Sequence, residues 1–320
     1  MRIVFMGTGG FAVPTFERLL DSRHDIVAVV TMPLRDGHRS KAVVAPIRSV
    51  ASAASLEIFD PENINDPSLL PTLRGWQADL LFVCDYGKIL APHVLAVTRF
   101  GGINLHGSLL PKYRGAAPIN RALLNGEPTV GVSVIHITPQ LDAGPVVAMS
   151  EPVPVLPDDT AVEIEEKLAQ IGAELVVSVL PQFENGTLTP VPQRNELATK
   201  APKIKKQDGE IDWRRSAQEI VWQYQALQPW PKVFTNWHRQ NAVENESEPM
   251  RLILGHVRQL ETEVTGVVPG KVLEASDDRV MVATGNGVLQ VFEIQPAGRK
   301  MMPADAFLRG YPLQPGDRFG

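Results

Sequence analysis

The chain has 320 residues, more than one average domain, and its 44% hydrophobic and 21% charged content predicts an ordinary globular protein with two cores. Its single cysteine, Cys84, excludes an internal disulfide, and no stretch reaches the roughly 18 apolar residues of a membrane span. The formal net charge of −5 argues against a nucleic-acid partner only if charge is uniform, and it is not: residues 150–190 are acidic, whereas residues 35–48 and 194–215 are basic.

Met1 and Arg2 lead straight into the apolar run Ile3–Met6, with neither a charged leader nor an Arg/Ser-rich presequence, so a cytoplasmic location is expected. Ile3–Met6, Ile26–Val30, Asp79–Cys84, Gly102–Asn104 and Gly131–Ile137 read as strands, and Phe11–Leu20, Val43–Ala54 and Pro118–Leu124 as helices. Strands alternating with helices predict an α/β fold, a doubly wound and mostly parallel sheet. Thr160 and Glu163 form a capping-box pattern, and the apolar periodicity after them predicts a long helix to about Val179. This helix closes a first domain over residues 1–190. The basic segment 191–207 lacks apolar periodicity and reads as a linker. Residues 208–320 open with a helix, Ser216–Ala226, and continue as about five strands: Val233–Trp237, Arg251–Val257, Gly266–Ala275, Val280–Thr284 and Gly287–Glu293. That series predicts a small antiparallel β-barrel of the oligonucleotide-binding type, with His238–Pro249 as an exposed loop.

Several motifs have an ordinary structural reading. Gly7-Thr8-Gly9-Gly10-Phe11-Ala12 formally fits a dinucleotide-binding turn, but the second strand ends Val29-Val30-Thr31, without the acid that would bind a ribose. A tight turn from strand to helix explains it. Cys84 ends an apolar run and reads as a buried thiol, and His136 sits in an apolar strand. A zinc site from His106, His136 and Asp142 lacks a complete ligand set, so no metal is expected. Ser108 lacks the elbow that would make it a nucleophile.

Residues 102–118 are different. Asn104 and His106 lie two apart, so on an extended backbone they point to the same side. An amide donor beside an imidazole suits an oxygen that gains negative charge during acyl transfer. The next loop supplies a carboxylate, Asp142, within Leu141-Asp142-Ala143-Gly144. Asn104, His106 and Asp142 are the candidate catalytic residues.

Asn104-Leu105-His106-Gly107-Ser108-Leu109-Leu110-Pro111, followed by Leu141-Asp142-Ala143-Gly144, resembles the formyltransferases that use 10-formyltetrahydrofolate. The likeness extends to Phe5-Met6-Gly7-Thr8, Asp85-Tyr86-Gly87, Tyr113–Ile119, Asp208–Trp213 and Pro229-Trp230-Pro231, nearly the whole chain. It implies a formyl donor, 10-formyltetrahydrofolate, whose pocket would involve Tyr86, Gly87, Ile89, Ser108, Leu109, Leu110 and Pro111. It implies as acceptor the amine of initiator methionyl-tRNA, used in translation initiation; the basic patches supply Arg39, Lys41, Lys203, Lys205 and Lys206 as candidates for its phosphates, and a monomer is expected. An amino-sugar nucleotide or another small amine is the alternative acceptor. Two departures from the family pattern stand out: glycine at both positions 9 and 10, at one of which relatives often have proline, and Asp85, where many have a small residue.

Overall fold

The structure is a computed structural model that describes residues 1–34, 45–239, 249–262, 266–276 and 278–320. The chain forms two compact units. The first comprises residues 1–119, 129–155 and 163–202, and the second residues 120–128, 156–162 and 203–320. Most of the segment expected to be a linker, residues 191–202, therefore belongs to the first unit. The Pro118–Leu124 helix falls almost wholly in the second.

The first unit is built on a seven-stranded sheet. Its strands are β1 (Arg2–Gly7), β2 (Asp25–Val30), β3 (Ile58–Phe59), β4 (Leu80–Cys84), β5 (Gly102–His106), β7 (Ser133–His136) and β8 (Val146–Met149), while β6 (Thr129–Val130) and β9 (Val153–Pro154) pair with each other outside it. The order is β3-β2-β1-β4-β5-β7-β8, parallel from β3 to β5 and antiparallel at β7 and β8. The long apolar runs form central strands because both faces are covered. On one face Phe5 packs on Phe16 of the helix Val13–Leu20 and on Phe82, with centroids 4.4 and 5.3 Å apart. On the other, Val4, Met6, Ala28, Leu81 and Val83 meet Trp76 and Val94. Strand order reverses between β1 and β4, the place where open α/β sheets leave a crevice.

The predicted helix after residue 43 begins at Pro46, with Val43 and Val44 outside the described residues. The capping-box helix runs Ala161–Asn185, past its expected end, because apolar residues continue to Phe183 and Pro181 lies within it.

The second unit contains the helix Ala217–Ala226, capped by reciprocal Ser216–Glu219 hydrogen bonds, and two antiparallel sheets. These comprise β10 (Val233–His238), β11 (Met250–Leu254), β12 (Val257–Leu260), β13 (Val272–Ser276), β14 (Arg279–Ala283), β15 (Val288–Val291), β16 (Glu293–Pro296), β17 (Met302–Pro303) and β18 (Arg318–Phe319). Two predicted strands each cross, just before their last residue, into a further strand, and both crossings fall at the same rung: Gly255 donates to the Glu293 carbonyl and Phe292 to that of His256. Each long strand thus bends from one sheet into the other. A Lys271–Arg318 bridge joins the far edges, closing the strand order into a barrel. The expected 238–249 loop lies largely outside the described residues.

Candidate active site

β5 lies between β4 and β7, with Asn104 beside Val83 and Ile135 and His106 beside Ser133. Its last residue is His106, two beyond the predicted end, so the strand itself fixes both side chains. His106 is buried at 5% exposure and Asn104 half-buried. Among the described residues the Asn104 amide has no hydrogen-bond partner, so its donors are available to a ligand.

His106 Nε2 lies 2.9 Å from the Tyr113 carbonyl oxygen. That oxygen only accepts, so Nε2 carries the hydrogen. Nδ1 faces Asp142 Oδ2 at 3.7 Å, and the same carboxylate oxygen accepts the Gly115 N–H at 2.9 Å. His106 and Asp142 are thus brought together and held by backbone groups of Tyr113 and Gly115, with Asn104 two residues before His106 on the same strand.

That loop is rigidly tied. Ser133 Oγ donates to the Ser108 carbonyl at 2.7 Å and accepts from the Leu110 N–H at 3.1 Å. Ser108, 4% exposed, donates to the Lys112 carbonyl at 2.7 Å. Its hydroxyl is thus committed to the loop rather than offered to a ligand. Leu110 is buried, whereas Leu109 and Pro111 are half-buried. Residues 199–201 pair with the loop's far side: Tyr113 N–H reaches Thr199 Oγ1 at 2.8 Å, Arg114 N–H the Thr199 carbonyl at 2.9 Å, and Ala201 N–H the Arg114 carbonyl at 2.7 Å. Gly115 has φ +133°, and a Cβ there would stand 2.4 Å from the Ala201 carbonyl oxygen, so only glycine fits.

After β4, Tyr86 is 2% exposed and its burial pushes the phenol up to about 12. It packs in the core. Gly87 turns the chain at φ +79°, and Ile89 is 58% exposed. Asn65 staples this loop, donating to the Ile89 carbonyl at 2.8 Å and accepting from Ala91 N–H at 2.7 Å. Nothing in the sequence singled out Asn65, because an amide that binds backbone leaves no periodic signal. Asp85, at φ +52°, is exposed as a residue, yet its carboxylate accepts the Gly9 N–H and tucks against Gly9. Burial raises its pKa, an effect the Gly9 hydrogen bond opposes.

Of the expected tRNA contacts, Lys203, Lys205 and Lys206 are exposed and, among the described residues, form no ion pair. Arg39 and Lys41 lie outside the described residues.

A family model described as "Formyl transferase" matches residues 1–180, and one described as "Formyl transferase, C-terminal domain" matches residues 203–312. Methionyl-tRNA formyltransferase of Moorella thermoacetica is 39% identical, over 100% of this chain and 99% of its own. The enzyme of that name from Rhodopirellula baltica is 40% identical, covering 99% and 96%. Among solved structures, an N-formyltransferase from Helicobacter canadensis, in complex with folinic acid and dTDP-3-aminofucose, superposes with a TM-score of 0.64 at 16% identity, over 92% of this chain and 98% of its own.

Proposed function

The chain belongs to the formyl transferase family, and from that premise we propose that it transfers the formyl group of 10-formyltetrahydrofolate to the amine of initiator methionyl-tRNA, in the cytoplasm and as a monomer. The full-length likeness to two enzymes named for that acceptor supports the reaction. What supports the site is His106 facing Asp142 at 3.7 Å, beside an Asn104 on the same strand whose amide has no partner among the described residues. The half-exposed apolar Ile89 and Leu141 offer a flat cosubstrate the contact surface it needs.

The amine attacks the formyl carbon of the folate to form a tetrahedral intermediate; its collapse breaks the bond from that carbon to the folate nitrogen, and tetrahydrofolate leaves with a proton on that nitrogen, matching the proton the amine loses. Asn104 donates to the formyl oxygen as that oxygen gains charge. His106, its Nε2 hydrogen held by the Tyr113 carbonyl, has Nδ1 left to bear a second proton and donate it to the same oxygen. Asp142 faces that nitrogen and accepts the proton the amine must lose, directly or through water. No covalent enzyme intermediate is needed, in keeping with a Ser108 hydroxyl already committed to the Lys112 carbonyl. Residues 1–190 carry the chemistry, and residues 208–320, with Lys203, Lys205 and Lys206 before them, engage the tRNA.

The test is a competition. The full chain is incubated with 10-formyltetrahydrofolate, methionyl-tRNA and an amino-sugar nucleotide, and both acceptors are analysed by mass. Formylmethionine is the expected product. A formylated sugar with untouched methionyl-tRNA would overturn the reading.

A further inference from the structure

We infer that Gln193 is a positioning residue for the transfer reaction, acting through Asp142 and resting on the reading of Asp142 given above. Its carboxamide saturates all four of its hydrogen-bonding positions between two loops. Nε2 donates to the carbonyls of Asp142 and Gly144, each at 2.8 Å. Oε1 accepts from Arg114 Nε at 3.0 Å and Nη2 at 2.7 Å. The orientation of the amide is therefore fixed, since the reverse would set oxygen against two carbonyl oxygens and NH2 against a guanidinium.

Each loop held in this way contributes to the site. Asp142 has φ +51°, a conformation disfavoured for a side-chain-bearing residue and kept only where its surroundings impose it. Gln193 grips the carbonyls on either side of Ala143, next to that strained residue. On the other loop, Arg114 lies between Tyr113, whose carbonyl holds His106, and Gly115, whose N–H holds Asp142. Arg114 is further secured by Asn195 Oδ1 at 2.9 Å. One side chain thus sets the spacing between the carboxylate and the imidazole. Two donors and one acceptor on a short neutral head are a combination that only asparagine and glutamine supply, and Asn is one methylene shorter.

The test measures single-turnover formylation of methionyl-tRNA and the KM for 10-formyltetrahydrofolate in Gln193→Leu, Gln193→Glu, Asp142→Asn and both double variants. Gln193→Leu is expected to slow transfer by ~10- to 10²-fold, the scale of a misplacement of about 1 Å, with little change in folate KM. Gln193→Glu keeps a partner for Arg114 but turns both donors into acceptors, and is expected to be as slow. It also carries the test should the leucine variant not fold. In the Asp142→Asn background either change should add no more than about 2-fold. Near-normal turnover in Gln193→Glu, or additive losses in the double variants, would overturn the inference while an impaired Asp142→Asn left the site standing. An unimpaired Asp142→Asn would instead remove the site itself.

Discussion

A Cβ at position 9 would stand 1.6 Å from Asp85 Oδ2, and the Gly9 N–H donates to that same carboxylate. Gly9 and Asp85 are thus coupled, the bare turn leaving room for the acid. Gly9→Ala is expected to push the Asp85 carboxylate aside and break its hydrogen bond with the residue-9 N–H, a loss of about 0.5–1.5 kcal/mol, and most of that cost should vanish in an Asp85→Ala background. Urea midpoints of the four variants measure it, and additive costs would contradict it. The acid also has a pH signature. Burial raises the Asp85 pKa, and it raises that of Glu165, on which the charge of Asp85 acts as well. A carboxyl whose folded pKa is raised holds its proton more tightly folded than unfolded. Its stabilising protonated form is fully present below the ordinary carboxylate range, and that stability is lost as pH rises through the folded value. Asp85→Asn should therefore be more stable than the parent at neutral pH and no different at low pH. A variant less stable at pH 7 would contradict this.

Among the elements, the 113–117 loop is the one on which the site depends most, because its carbonyls and amides hold both His106 and Asp142. Gly115→Ala puts a side chain against the Ala201 carbonyl at φ +133°, a backbone cost of about 1–3 kcal/mol before any clash is relieved. Its melting temperature should fall and single-turnover transfer should slow together. A loss of stability with wild-type transfer would show that the Gly115 N–H does not position Asp142. Much of this was legible in the sequence. Apolar runs located β1, β2, β4 and β5, because buried parallel strands are continuously hydrophobic, and Thr160 with Glu163 located the start of the long helix by capping chemistry. The proposed trio of Asn104, His106 and Asp142 was named from residue type and spacing, and the fold brings His106 to 3.7 Å from Asp142. The strap at 193–201 was not. It is polar and aperiodic, and its contribution consists of single hydrogen bonds from Gln193 and Thr199, which no hydropathy pattern records. The bends at Gly255 and Phe292 were equally hidden, since local sequence does not say where a strand changes sheets.

On the scale of the whole molecule, a net charge of −5 coexists with exposed lysines at 203, 205 and 206 that form no ion pair among the described residues and can meet a phosphate backbone. Replacing all three with alanine in the full chain should raise the KM for methionyl-tRNA and flatten its salt dependence by ~0.7–0.9 logarithmic units per lost contact. The KM for folate should not move. An unchanged salt slope would assign tRNA binding to other residues. The most direct test of the account concerns the chemical step at β5. Single-turnover formylation of methionyl-tRNA is compared in the parent, Asn104→Ala and His106→Ala, alongside 10-formyltetrahydrofolate binding at equilibrium. Each variant is expected to transfer at least ~10²-fold more slowly while binding folate nearly as well, because both donors serve charge that develops only in the transition state. Transfer within a few-fold of the parent in either variant would contradict the account.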